Sequence, residues 1–401
     1  MDRTTWEGWL RWCQTRKAFI PAPVLTAQEF ALKSPRQKYL HNLHRIATHS
    51  SMPIEATPMS EKVAHAVRAR VEEGAFSHKA STRGGIMVNG DGAQGKTETV
   101  CEAMALFMEE WLRLHNYKDP DAMPGTRDLV APVAYVRCPV RATPISTCQR
   151  ILDFYGEDYK GMRLEDLIRT VKTAIIEHAT KALVIDDITR LKLHREADQD
   201  VLDLIREIMS MPVTLVLVGV GIPTSGLLRE GSRDPRTGEW IYLPVKDRGR
   251  SPNDHAASQH ERRFQVVDLD PFRYSTAKEM KAWMTHLRAL EGRMRLLTDT
   301  KGMLTDGDMP EYLFGRTGGV VGVLEKLIQR GLRLAIEDKS ERLTKGLLNQ
   351  FAITPGDMPD LDAGSGEQPN IPPHKPTPKK KPKGRSSVFD DDGPEAAGSA
   401  G

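Results

Sequence analysis

The chain has little of what would send it out of a cytosol or through a membrane. Its four cysteines, Cys13, Cys101, Cys138 and Cys148, form no C-x-x-C pair and no metal-ligand spacing. That argues against a disulfide framework or a zinc site and fits reduced, buried thiols. The opening residues, Met1 to Trp6, lack the apolar core of a signal peptide. The longest apolar run, around Val213 to Pro223, falls far short of the ~20 residues that cross a bilayer. A soluble, cytoplasmic protein is the expectation. Charge of one sign is also lacking: a net +3 is too small to imply nucleic-acid binding by itself, so any such contact must come from local basic patches. There is no internal repeat and no N-K-x-D or T-K-x-D tetrad, which weakens the case for a guanine-reading GTPase.

What is present is a phosphate loop. Residues Gly90-Asp-Gly-Ala-Gln-Gly-Lys-Thr97 fit G-x-x-x-x-G-K-[ST]. Ile86, Met87 and Val88 read as a short buried strand leading in. Behind the loop, Val100, Ala103, Met104, Phe107, Met108, Trp111 and Leu112 recur at helical spacing. A strand, a glycine turn and a helix aim backbone N–H groups and the positive helix end at phosphates. Gly90, Asp91, Gly92, Ala93, Gln94, Gly95, Lys96, Thr97 and the following Glu98 are therefore the candidate nucleotide-binding residues. In this loop type the lysine reaches the β- and γ-phosphates and the hydroxyl ligates Mg²⁺, roles that fall to Lys96 and Thr97.

With 401 residues and 39% apolar content, the chain can build two or three domains. Residues 1–52 read as an N-terminal helical extension in which Trp6, Trp9 and Trp12 form a stripe that packs on the body. Residues 53–272 alternate strand and helix, with strands expected at 85–89, 132–138, 181–186, 213–219 and 264–269. Helices are expected near 60–73, 97–115, 144–155, 164–178 and 196–210. Helix-length crossovers between strands imply an α/β fold with a parallel sheet covered on both faces. Residues 273–353 read as a small all-α domain, with helices near 275–290, 308–316, 319–337 and 341–352. From 354 to 401 the Pro-, Gly- and Lys-rich composition predicts a disordered tail. The long polar connection 229–260 contains a possible hairpin from Asp234 to Leu243.

Downstream of the loop, Leu183-Val-Ile-Asp-Asp187 reads as an apolar strand ending in two acids. Asp186 is placed to hold Mg²⁺ with Thr97. Asp187 is placed to orient or deprotonate the attacking water. Two acids after a strand also suit a turn or a helix cap; it is the phosphate loop that makes the pair informative. Arg262 and Arg263, just before the strand at Phe264, are candidates for an arginine finger reaching a neighbouring subunit's nucleotide, with solvated charge at a helix end as the plain alternative. Lys96, Asp187, Arg262 and Arg263 form the candidate catalytic set.

Phosphate loop, acidic strand, a later strand into Val218-Gly-Val-Gly221 and a helical lid together resemble an AAA+ ATPase. More narrowly, the chain resembles the TniB/TnsC transposition ATPases, relatives of the phage Mu B protein. The segments that carry this are Thr82-Arg-Gly-Gly-Ile-Met-Val-Asn-Gly90, Ala182 to Leu191, Arg263-Phe264 with Asp268-Leu-Asp-Pro-Phe272, and the lid stretch Gly315-Arg-Thr-Gly-Gly-Val-Val-Gly-Val-Leu324. The likeness covers residues 35–352. It implies a regulator that binds ATP and Mg²⁺, assembles as a ring or filament on duplex DNA with little sequence preference, and hands a target site to a DDE transposase. ATP hydrolysis then turns the homo-oligomer over. Three departures stand out: Asp187 where Glu is commoner, Gly322 where many lids carry a sensor-2 arginine, and no obvious sensor-1 Asn or Thr at Gly219 to Gly221, with Thr224 nearby. They imply a slow ATPase, stimulated by DNA or a partner, whose nucleotide acts as a switch.

Arg137, Arg141 and Thr143 after the second strand, and Arg190 and Lys192 after the acidic pair, occupy loops that line DNA-facing pores in related proteins. Solvated surface charge is the competing reading for each. Lys375 to Arg385 adds a basic run, and Val388-Phe-Asp-Asp-Asp392 is a possible docking peptide. A helicase-loader ATPase and a partner-switching signalling ATPase share the loop and the acid pair, and both stay open at this point.

Overall fold

The computed structural model describes residues 2–77, 83–115, 130–139, 142–190, 199–225, 231–233, 240–242 and 263–353. All of them lie in one compact unit, Met1–Pro369. Its centre is a five-stranded parallel sheet: β1 (Gly85–Asn89), β2 (Val133–Arg137), β3 (Ala182–Asp186), β4 (Thr214–Gly219) and, numbered after a two-stranded pair, β7 (Phe264–Asp268). The spatial order is β2-β3-β4-β1-β7, which puts the phosphate-loop strand between β4 and β7. Every residue of β1, β3 and β4 is buried. Their sequences are accordingly near-continuous apolar runs rather than alternating ones, because helices cover both faces. Flanking the sheet are α4 (Pro58–Phe76), α5 (Lys96–His115), α6 (Pro144–Tyr155), α7 (Leu164–Glu177) and α8 (Gln199–Ser210).

The expected strands are present, each within a residue or two of its expected ends. The larger offsets have local causes. The expected hairpin is β5 (Gly231–Arg233) paired antiparallel with β6 (Trp240–Tyr242), so its first strand precedes Asp234. The third lid helix starts at Val321 and not at 319, because Gly318 and Gly319 sit at φ +58° and +73°. The last helix is only Lys345–Leu348. Glu341 is left-handed at φ +50°, and Thr344 caps the turn by accepting from Leu347 N–H.

The N-terminal residues divide between two neighbours. In α1 (Trp6–Thr15), Trp9 is fully buried, stacked on Tyr135 at 5.9 Å and donating to Met108 Sδ at 3.4 Å. After the short α2 (Ala27–Ala31), α3 (Pro35–Ser50) packs instead on the lid. There Arg45, 1% exposed, donates to both carboxylate oxygens of Glu341 at 2.7 and 3.0 Å. The lid comprises α9 (Ala277–Arg293), α10 (Met309–Thr317), α11 (Val321–Glu337) and α12 (Lys345–Leu348), around Trp283, Leu313, Leu324 and Leu332. Among the described residues no helix is long and apolar enough to cross a membrane. The four cysteines are buried and unbridged, and burial pushes the Cys13 and Cys148 thiols up to about 12.

Candidate nucleotide-binding site

The carboxyl ends of β1 and β3 lie on the same side of the sheet, two strands apart, so the phosphate loop and the acid pair converge there. The loop needs special backbone at three places. Gly95 sits at φ +84° and Ala93 at +59°. At Gly90 a Cβ would lie 2.4 Å from Gln94 Oε1 and 2.7 Å from the Leu269 carbonyl, so glycine is required by close approach. Lys96 opens α5 with its side chain folded into the loop, 9% exposed, and its ammonium donates to the Asp91 carbonyl at 2.5 Å. Burial pulls its pKa below the usual lysine range, while the Asp91, Asp186 and Asp187 carboxylates oppose that shift.

Asp186 is the hub. Its Oδ2 accepts from the Thr97 hydroxyl at 2.8 Å and from the Tyr135 hydroxyl at 2.7 Å; its Oδ1 accepts from the Asp187 N–H at 2.9 Å. The carboxylate is 2% exposed and fully oriented. Asp187 follows in the left-handed region at φ +57°, which turns its carboxylate out of the strand line, 3.8 Å from Arg137 Nε. Aspartate is one of the residues that tolerates this backbone.

The donor set fits magnesium. A hydroxyl and a carboxylate oxygen already in contact are hard ligands, and Mg²⁺ is usually held by one or two carboxylates plus substrate phosphates and water. Among the described residues no group of three or more His, Cys, Asp or Glu could hold a metal alone, so phosphate oxygens would have to complete the shell. The loop also fits an anion. Lys96 brings a buried three-donor ammonium whose hydrogen-bond partner, among the described residues, is one loop carbonyl.

The other expected residues fall in different places. Glu98, expected at the nucleotide, is held by Arg3, which donates to its two oxygens at 2.6 and 3.0 Å. Arg3 in turn lies over the rings of Trp12 and Tyr135, at 5.1 and 5.7 Å. Thr143, expected at DNA, is the N-cap of α6, accepting from the Ser146 N–H at 3.1 Å, with Pro144 as the first helical residue. Its hydroxyl is therefore engaged in ending a loop. Arg137 stands beside Asp187, half exposed. Arg263 immediately precedes Phe264, which pairs with Gly85 at the amino end of β1, so it lies at the opposite end of the sheet from the phosphate loop. It cannot serve its own chain's nucleotide. Arg262, Arg141 and Lys192 lie outside the described residues, as do the side chains of Arg190 and Thr224, the whole 354–401 segment, and the turn of the 231–242 hairpin.

Two residues were missed in the sequence. Tyr135, buried on β2, positions Asp186 through its hydroxyl. Asn89 ends β1: its side-chain Nδ2 donates to Asp268 Oδ1 at 2.7 Å and its side-chain Oδ1 accepts from the Ile222 N–H at 2.9 Å. It thereby ties the exits of β4 and β7 to the start of the loop. A lone polar residue closing an apolar strand just before Gly90 was the available signal for Asn89. Tyr135 carried none, since an aromatic in a strand reads as core.

Residues 78–222 match the family model described as an AAA domain. No curated protein matches the chain. Among solved structures it is similar to the ORC1 protein of Aeropyrum pernix in complex with DNA, at 14% identity and a TM-score of 0.47, covering 74% of this chain and 65% of that one. It is similar as well to the Aeropyrum pernix ORC2 protein, at 14% identity and a TM-score of 0.45, covering 73% and 65%. A third is domain III of the Thermotoga maritima replication initiation protein DnaA, at 11% identity and a TM-score of 0.40, covering 74% and 92%. The chain thus spans just under two thirds of the two Aeropyrum proteins. The matched span runs from before β1 to the turn after β4 and encloses both the loop around Lys96 and the Asp186–Asp187 pair; that span has the P-loop AAA+ fold.

Proposed function

We propose that the chain is an ATP-dependent regulator of DNA transposition that assembles on duplex DNA and engages a DDE transposase. The observation that supports its nucleotide half is the Thr97–Asp186 contact at 2.8 Å beside the buried Lys96 ammonium. Bound Mg·ATP supplies the transferable γ-phosphoryl group and the cation that offsets its charge. Lys96 exchanges the Asp91 carbonyl for phosphate oxygens, and Thr97 and Asp186 hold the cation side. Tyr135 would keep Asp186 oriented toward a cation shared with Thr97. Asp187 orients the attacking water. Arg263, at the end of the sheet away from its own phosphate loop, is assigned to a neighbouring chain's nucleotide, so that turnover belongs to the assembled state.

The DNA half rests on the resemblance of the lid and of the Arg83-Gly84-Gly85 lead-in, together with the basic loops after β2 and β3. Arg137 links the halves: a DNA phosphate that draws its guanidinium off Asp187 removes one positive neighbour from that carboxylate, a route by which DNA alters hydrolysis. The test is co-sedimentation with random-sequence duplex DNA at low salt, with and without Mg·ATP. Pelleting that requires both DNA and ATP is expected. Nucleotide binding with no DNA association in any state sinks the DNA half and favours an ATPase that switches protein partners.

A further inference from the structure

The lid reaches the phosphate loop through a backbone hydrogen bond. Gly322, in the first turn of α11, donates its N–H to the Ala93 carbonyl at 2.9 Å. A Cβ at residue 322 would lie 2.4 Å from that same oxygen, so any side chain there must push the lid off the loop. The approach is prepared by the turn before it. Phe272 N–H donates to the Gly319 carbonyl at 2.9 Å, and a Cβ on Gly319 would lie 2.3 Å from the Phe272 carbonyl. On the receiving side, Ala93 holds φ +59°, a conformation that disfavours a residue with a Cβ and persists only where its surroundings hold it. The peptide joining Ala93 to Gln94 is planar and trans. With its C=O aimed at Gly322, its N–H, on Gln94, must point away from the lid.

We propose that Gly322 is a positioning residue for the phosphate loop: its N–H holds the Ala93–Gln94 peptide so that the Gln94 N–H faces the seat of the nucleotide's phosphates. This deepens the nucleotide reading of the loop and rests on it. The lid then governs affinity through one backbone hydrogen bond, at the position where the resemblance leads one to look for an arginine. Coupling of this kind is reciprocal, so a nucleotide on the loop must also hold the lid.

Calorimetric titration with Mg·ADP and Mg·ATP, combined with amide hydrogen exchange, tests this. Gly322→Ala is expected to weaken both nucleotides by about tenfold, the worth of one hydrogen bond at the site, and to speed exchange across the first turn of α11. Gly292→Ala, a lid position where an added Cβ meets nothing within 4 Å, is expected to bind as wild type. Adding Ala93→Gly to Gly322→Ala is expected to recover most of the affinity without restoring lid protection, because glycine takes the left-handed backbone unaided. A merely structural defect at residue 322 gains nothing from that second change. If Gly322→Ala fails to fold, the wild type still decides: saturating Mg·ADP must slow exchange of the Gly322 amide. Wild-type affinity in a folded Gly322→Ala protein, or no nucleotide effect on that amide, overturns the proposal. A wild-type protein that takes up no nucleotide refutes the reading of the loop itself.

Discussion

The acid side and the lid side of the phosphate loop are built from different materials. On the acid side, Thr97 and Tyr135 meet Asp186 through their side chains, with the Lys96 ammonium on a loop carbonyl and Asp187 beside Arg137. On the lid side the contact is Gly322 N–H to Ala93 O, and the lid is itself tied to α3 by a buried ion pair, Arg45 with Glu341. One side is specified by functional groups, the other by the lack of a Cβ; the lid's own anchor to α3 joins residues 296 positions apart in sequence. Substitutions on the acid side should therefore change chemistry with the fold intact, and those at the anchor should change stability first.

The largest effect expected is from Lys96→Ala, which removes the buried ammonium: ATP binding should weaken by at least two orders of magnitude in calorimetry, with the thermal midpoint retained. Asp187→Asn comes next. It should still bind ATP but turn over at least tenfold more slowly in a phosphate-release assay, as loss of a general base does; undiminished turnover removes Asp187 from that role. On the lid side, Arg45→Ala leaves Glu341 buried without its partner, and such losses cost about 3–5 kcal/mol. Its chemical-denaturation midpoint should drop sharply, and a surface-like change of under about 0.5 kcal/mol contradicts the anchor.

Acid sharpens the same contrast. His49 accepts from Arg295 N–H at 2.9 Å, and burial together with Arg45 and Arg295 lowers its pKa to about 4. Burial lowers His286 to about 4 as well. Each is held neutral in the fold and protonates near its ordinary value of 6.5 when unfolded. Between those values the unfolded chain binds more protons, so stability present above pH 6.5 is lost as the pH falls toward 4. A thermal midpoint flat across that window contradicts the burial of both rings. The smallest effect is from Tyr135→Phe. One of the hydrogen bonds on Asp186 disappears, worth about 1 kcal/mol, and Mg²⁺-dependent affinity should fall several-fold while Mg²⁺-free affinity holds.

How much of this was legible in the sequence follows the same division. The strands and the helices around them were readable because apolar runs and glycine punctuation report local structure directly. Lys96 and Thr97 were readable because the phosphate loop fixes their spacing, and Asp186 because an apolar strand ending in two acids follows that loop. Asn89 and Tyr135 act across strands that are neighbours only in space, and sequence distance hides that. Glu98 and Thr143 carry contacts hidden for a related reason: Arg3 engages the first and the start of α6 the second. Gly322 was visible as a departure from the family pattern, yet its contact with Ala93 depends on a lid placement that no local signal encodes.

The most direct test is a calorimetric titration of the folded wild-type chain with ATP, with and without Mg²⁺. Saturable binding at one site per chain is predicted, strengthened by Mg²⁺ in wild type and not in Asp186→Asn. No ATP uptake by the folded protein, or a Mg²⁺ effect that survives Asp186→Asn, contradicts a metal–nucleotide centre held between the phosphate loop and β3.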